Sequence, residues 1–145
     1  MIEINRPDVL AEVDAAFNAY EHALVTNDVA VLDTLFFDSS HTLRYGATEN
    51  LYGYDAIRAF RAARPGQGLA RTITARVVTT YGDAFAVANI EFRRDGDPRI
   101  GRQSQTWVKM PDGWRVVSAH VSWMGGTDGV RPLTTCAGGM PRASS

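Results

Sequence analysis

The sequence predicts one α+β domain, with helices gathered in the N-terminal half and antiparallel strands in the C-terminal half. Three observations carry this. Apolar residues recur at helical spacing up to about residue 64. From residue 70 the pattern changes to long strand-like runs punctuated by Asp95-Gly96 and Pro111-Asp-Gly113, both turn signals. The chain has 145 residues, the size of one domain, with 45% hydrophobic and 21% charged residues, a globular composition rather than a disordered one.

Each element follows in order. Residues 7–26 read as an amphipathic helix whose stripe is Leu10, Val13, Phe17, Tyr20 and Leu24, with Asn5 as N-cap and Pro7 in the first turn. Asn27-Asp28 breaks the pattern and caps a second short helix facing inward through Val31, Leu32, Leu35 and Phe36. His41 to Gly46 suggests a short strand. A third helix follows from about Asp55 to Arg64, inward through Ile57 and Phe60 and stopped by Pro65. Four strands are expected over 70–81, 84–93, 99–110 and 114–124, the first with Ile73, Ala75 and Val77 on its buried parity. The domain is expected to span 1–124, with an irregular Gly-, Thr- and Pro-rich tail over 125–145.

Charge and composition exclude several roles. The formal net charge is −1, which argues against general nucleic-acid or membrane-surface binding. No apolar run approaches the ~18 residues of a membrane span. No basic stretch leading into an apolar core opens the chain, so a cytoplasmic location is expected. The single cysteine, Cys136, cannot form an internal disulfide and lies in the Gly-rich tail without a catalytic motif. Phosphate-loop, dinucleotide, zinc-protease and nucleophile-elbow motifs are missing, and His22, His41 and His120 lack ligand spacing, so neither metal nor cofactor is expected.

Candidate chemistry sits on the arginines and the last hairpin. Arg71 shares the buried parity of the first long strand, so it is either paired or facing a wet cavity, or else lies at a frayed strand start. By pattern alone Arg44 reads as a solvated arginine. Arg58, Arg61 and Arg64 of the third helix read as a solvated face. Ser118, His120 and Ser122 occupy mid-strand positions where a dry core would leave them unsatisfied. A pocket, or the outer face of a dimer interface, accounts for them. A three-residue hairpin loop puts Ser104 opposite His120 and Arg102 opposite Ser122, whereas a two-residue loop puts Gln105 and Gln103 there.

The segments Gly101-Arg-Gln-Ser-Gln-Thr-Trp107, Pro111-Asp-Gly-Trp114 and Val117-Ser-Ala-His-Val-Ser122 resemble the C-terminal hairpin of SnoaL-like NTF2 domains. Ala23-Leu-Val-Thr-Asn-Asp-Val-Ala-Val-Leu32, Glu49-Asn-Leu-Tyr-Gly-Tyr54 and Ile57-Arg-Ala-Phe-Arg-Ala-Ala-Arg-Pro65 are similar to the AtzH/HpxZ family. The resemblance implies an NTF2-like cone, a curved antiparallel sheet wrapped around a helix hairpin and a third helix, with a pocket at the open end. It further implies bacterial nitrogen catabolism beside an amidase-signature enzyme, with 1,3-dicarboxyurea converted to allophanate in cyanuric acid breakdown, or a role in oxalurate use. The family's presumed catalytic pair is a tyrosine of the first helix and an arginine of the first strand. The matching positions are Tyr20 and Arg44, which replaces the solvated reading of Arg44.

Arg71, Gln105, His120 and Ser122 are expected to line the same pocket, because arginine forks suit the carboxylates of a small planar ureide anion. A homodimer is expected, since the strands over 84–93 and 99–110 are apolar on more faces than one helix layer covers. Three functions fit: a metal-independent deamidase or amidohydrolase acting on a carboxylated urea, a non-catalytic partner of an amidase, or an isomerase- or cyclase-like enzyme. The last would need an inward base, which only His120 could supply.

Overall fold

The computed structural model describes residues 1–125. The expectations that fall on the tail beyond, Cys136 included, lie outside the described residues. Among the described residues the elements run α1 (Pro7–Val25), α2 (Val29–Leu35), β1 (Leu43–Tyr45), β2 (Asn50–Tyr52), α3 (Tyr54–Ala63), β3 (Thr72–Tyr81), β4 (Phe85–Arg93), β5 (Gly101–Met110) and β6 (Gly113–Trp123). Among the described residues no helix is long and apolar enough to cross a membrane.

α1 forms because one stripe of its surface is apolar: Val9, Val13, Phe17, Tyr20 and Leu24 are buried, with Val9 taking the place expected for Leu10. Asn5 is not its N-cap. It sits at φ 58° and ties the N-terminus to β3, its backbone N–H donating to the Thr80 carbonyl at 3.0 Å while its side-chain oxygen accepts from the Thr80 N–H at 2.9 Å. At the hairpin Asn27 takes the left-handed conformation that reverses the chain, and the Asp28 carboxylate accepts from the Val31 N–H at 3.3 Å. Leu32, Leu35 and Phe36 then face α1, whereas Val31 is exposed.

The strands form one mixed sheet in the order β2-β1-β6-β5-β4-β3. Two features depart from the expected all-antiparallel sheet. β2 adds a hairpin strand to β1, and β1 runs parallel to β6, with Arg44 level with Ala119. One face of the sheet carries Phe92, Ile90, Ala88 and Ala86 of β4 against Gly101, Gln103, Gln105 and Trp107 of β5, and this face packs on the helices. Trp107, Phe17, Phe36 and Phe92 are fully buried there. Each contributes roughly 1.5–3 kcal/mol of burial free energy.

Two β-bulges curve the sheet and invert the alternation. In β3 the register shifts between Ile73 and Ala75, so Ile73 packs inward but Ala75 and Val77 turn outward, Val77 being 60% exposed. Arg76, Val78 and Thr80 take the inner face instead, opposite Ile90, Ala88 and Ala86. In β6 the pairings Trp107↔Val116 and Thr106↔Ser118 leave Val117 as the extra residue. Near the turn, Met110↔Gly113 leaves a two-residue loop, yet beyond the bulge Ser104↔His120 and Arg102↔Ser122 are the pairings expected of the three-residue one, and the alternative that set Gln105 and Gln103 opposite His120 and Ser122 does not occur.

Candidate functional site

The β6 bulge decides which side chains enter the cone. Beyond Val117 it turns Ala119, Val121 and Trp123 inward, level with Gln105, Gln103 and Gly101. His120 and Ser122 therefore pair with Ser104 and Arg102 on the outer face, away from the helices. The expectation that they line the inner pocket is corrected accordingly. His120 is exposed and stacks edge-on against Tyr45 at 5.6 Å between ring centroids, while the Tyr45 and Tyr52 hydroxyls meet at 3.2 Å.

Tyr20, Arg44, Arg71 and Gln105 belong to the inner side. Tyr20 is 5% exposed and packs among Phe17, Phe36 and Trp107, the Trp107 ring lying edge-on at 6.5 Å between centroids. The Trp107 indole N–H donates to Gln105 Oε1 at 3.1 Å, which orients the carboxamide and leaves its Nε2 buried without a partner among the described residues. Gln103 is held the same way: its Oε1 accepts from Arg71 Nη2 at 3.2 Å, and its Nε2 is unpartnered. Two amide donors, two residues apart on one strand face, thus point where no described protein atom accepts from them.

The arginines supply the charge. Arg71 is 2% exposed, resolving its two expected settings in favour of burial, and its fork grips Glu21 through Nε at 2.9 Å and Nη2 at 2.8 Å above the Phe92 ring. Arg44 is 14% exposed, donates to Glu49 Oε2 at 2.8 Å and lies 5.8 Å from the Phe60 ring centroid. Burial opposes the Glu49 charge, but hydrogen bonds from Thr48 and Arg44 outweigh it and hold the carboxyl below its ordinary pKa. Gly46 makes the Arg44–Glu49 pair possible, because a Cβ there would overlap the Glu49 carboxylate and come within 3.0 Å of Arg44 Nη1.

The reading of Arg58, Arg61 and Arg64 as one solvated face holds only for Arg58. Arg61 is 4% exposed, donates to Asp33 at 2.6 Å and stacks on Phe36 at 4.7 Å, pinning α3 to α2. Arg64 leaves the helix altogether. As the residue before Pro65 it is driven to extended backbone, φ −76° and ψ 150°, and its Nε and Nη2 are buried without partners among the described residues. Burial lowers its pKa, a tendency that Tyr20 opposes and that repulsion from Arg61, Arg44 and Arg94 reinforces. Arg94, just after β4, shares this character, with Nε buried and unpartnered and its pKa lowered first by burial and then by Arg71. Sequence reasoning missed both Arg64 and Arg94, although the Arg64-Pro65 pair was a usable signal for the first. Among the described residues no group of three His, Cys, Asp or Glu side chains could hold a metal ion.

A curved, unclosed mixed sheet around three helices, with an inner face of arginines, amides and one tyrosine, defines an NTF2-like α+β cone built around a polar site. The chain belongs to the AtzH-like family, whose model matches residues 2–127. It is 61% identical to a protein of unknown function from Pectobacterium atrosepticum, with a TM-score of 0.83, covering 84% of this chain and 95% of that one. A cystatin-like fold protein from Burkholderia xenovorans is 44% identical, with a TM-score of 0.82 and coverage of 86% and 98%. An NTF2-like superfamily protein from Salmonella enterica, 26% identical at a TM-score of 0.67, covers 83% of this chain and 94% of its own. A search of the curated proteins finds no match.

Proposed function

We propose that this protein is a small, metal-independent enzyme that cleaves a C–N bond in a carboxylated urea, most simply 1,3-dicarboxyurea to allophanate, in bacterial nitrogen catabolism. Family membership supports the substrate class. The observation that carries the chemistry is the set of buried, unpartnered donors on Gln103, Gln105, Arg64 and Arg94 beside Tyr20 and Arg44. Such donors call for a bound acceptor, and a planar anion with carboxylate and carbonyl oxygens provides one.

In this reading the bond between one terminal carboxyl carbon and its urea nitrogen breaks. The nitrogen takes a proton, and the carboxyl leaves as carbon dioxide, or as bicarbonate if water adds first. Both nitrogens remain in allophanate, so the released product is inorganic carbon and not ammonia. Arg44 holds a carboxylate or the developing oxyanion, and Tyr20 delivers the proton to the leaving nitrogen, a role suited to a phenol, which is a proton donor at neutral pH. The carboxamides of Gln103 and Gln105 orient the central carbonyl.

The enzyme acts as a homodimer paired through the outer sheet face, where Val77 is exposed beside a hollow of about 240 Å³ bordered by Ala75, Asn89, Glu91, Arg102 and Ser104. The same exposed face supports a second reading, an accessory subunit seated on an amidase. The test is direct: purified protein alone is given 1,3-dicarboxyurea, and allophanate and bicarbonate are followed above the uncatalysed rate. Turnover supports the enzyme. No turnover alone, with acceleration of an added amidase-signature enzyme, supports the accessory subunit.

A further inference from the structure

Arg64 has no evident structural work. Arg61, one turn earlier, is fixed by Asp33 and Phe36, and Arg71 by Glu21, Gln103 and Phe92. Arg64 has neither an ion pair nor a side-chain hydrogen bond among the described residues, yet two of its nitrogens are shut away from solvent. Guanidinium does not shed its proton under such conditions, so the fold carries a half-buried cation with no counter-ion among the described residues. Its neighbourhood is cationic as well: Arg44 and Arg94 both repel it.

Arg44, Arg64, Arg71 and Arg94 contribute four positive charges, while Glu49 and Glu21 neutralise one each, so these six groups carry +2. The two arginines without a salt bridge among the described residues come from different parts of the chain: Arg64 at the end of α3, and Arg94 just after β4, where Arg71 repels it and Asp97, which also pairs with Arg99, attracts it. We propose that Arg64 selects a dianion: it binds the second carboxylate of a short planar dicarboxylate and has been kept, at a cost in stability, for that purpose. This rests on the anion-binding reading of the site and deepens it by naming the residue that distinguishes a dicarboxylate from a monocarboxylate.

The experiment uses two probes that differ by one carboxylate, 3-oxoglutarate, in which methylenes replace the NH groups of 1,3-dicarboxyurea, and acetoacetate, both freshly prepared and titrated cold, because β-keto acids lose carbon dioxide in water and 3-oxoglutarate thereby becomes acetoacetate. Their dissociation constants are measured by calorimetry for the wild-type protein, Arg64→Gln and Arg64→Lys, with thermal melting of each unliganded variant. The wild type is expected to favour 3-oxoglutarate. Arg64→Gln should collapse that preference by roughly 10- to 100-fold, the value of a buried charge-assisted bond. It should also melt at a higher temperature than the wild type, because the unpaired buried charge is gone. Arg64→Lys should restore part of the preference. If the wild type binds neither probe, the anion-binding reading fails and this proposal with it. If the wild type prefers the dianion and Arg64→Gln keeps the preference, only the Arg64 assignment is overturned. A lower melting temperature for Arg64→Gln marks the residue as structural and also overturns it.

Discussion

Glu21→Ala tests how the cone tolerates its interior charges. Glu21 takes both nitrogens of the Arg71 fork, at 2.9 and 2.8 Å, and Arg71 is 2% exposed while Glu21 is 17% exposed. Removing the carboxylate strands a guanidinium above Phe92 with Gln103 Oε1 as its remaining acceptor among the described residues. Breaking a buried pair in this way costs ~3–5 kcal/mol, and the partial exposure of Glu21 favours the low end, about 3 kcal/mol. For 145 residues, at ~2.1 cal/mol/K per residue, the unfolding entropy is about 0.3 kcal/mol/K, so the melting temperature should fall by about 10 °C. Arg71→Met removes the more buried charge and keeps an apolar stem over Phe92, leaving Glu21 nearer to water, so it should cost less. Scanning calorimetry at neutral pH reads both variants. In addition, millimolar 3-oxoglutarate should restore more of the loss in Glu21→Ala than it adds to the wild type, because it supplies the missing negative charge. Should Arg71→Met melt below Glu21→Ala, the desolvated cation is not the source of the cost and the charge argument for the whole site collapses.

Four further outcomes are expected. Tyr20→Phe should leave melting and probe affinity near wild type while cutting kcat by ~10²-fold, and Arg44→Lys should fail as well because an ammonium lacks the planar fork; full turnover by Tyr20→Phe would reduce the tyrosine to packing. Asp97 accepts from the Arg99 side chain and backbone, which lowers its carboxyl to about 2, so the stability difference between wild type and Asp97→Asn should be complete above pH ~4 and vanish as the pH falls through about 2. A difference that persists unchanged at pH 2 would point elsewhere. Light scattering at micromolar concentration should give twice the mass of one chain, and a monomer would remove the outer face as a dimer surface. Activity should survive both chelation and Cys136→Ser, and loss in either, with folding intact, would reveal a site outside the described residues.

The helix hairpin was legible because its signal is local: a stripe at helical spacing, a breaker at Asn27, and a carboxylate at Asp28 positioned to cap. The four long strands were legible for the same reason. Face assignment within them was not. A bulge is one unpaired residue demanded by the curvature of a sheet around its helices, and neither the shift after Ile73 nor the extra Val117 has a local marker. Each reverses the parity of everything beyond it. Ala75 and Val77 therefore turn outward and His120 leaves the site. β2, no shorter than β1, was missed because its one half-buried residue, Leu51, stands between two exposed ones and shows no run of strand-like residues. Arg64 was missed by extending the helical face one residue too far, although Pro65 already required extended backbone at that position.

The fate of His120 also narrows the chemistry. An isomerase- or cyclase-like enzyme on this fold would need an inward base, and His120 was the one histidine whose position in the sequence allowed that role. With His120 stacked against Tyr45 on the far face, the proposed proton transfer would rest on the groups near Tyr20. The carboxylates of Glu21 and Glu49 are each committed to an arginine. Neither carboxylate is left free to face a substrate, and the remaining donors among the described residues are cations, amides and a phenol. That inventory suits the delivery of a proton to a departing nitrogen on an anion already held in place, and it suits poorly the removal of a proton from an apolar carbon acid.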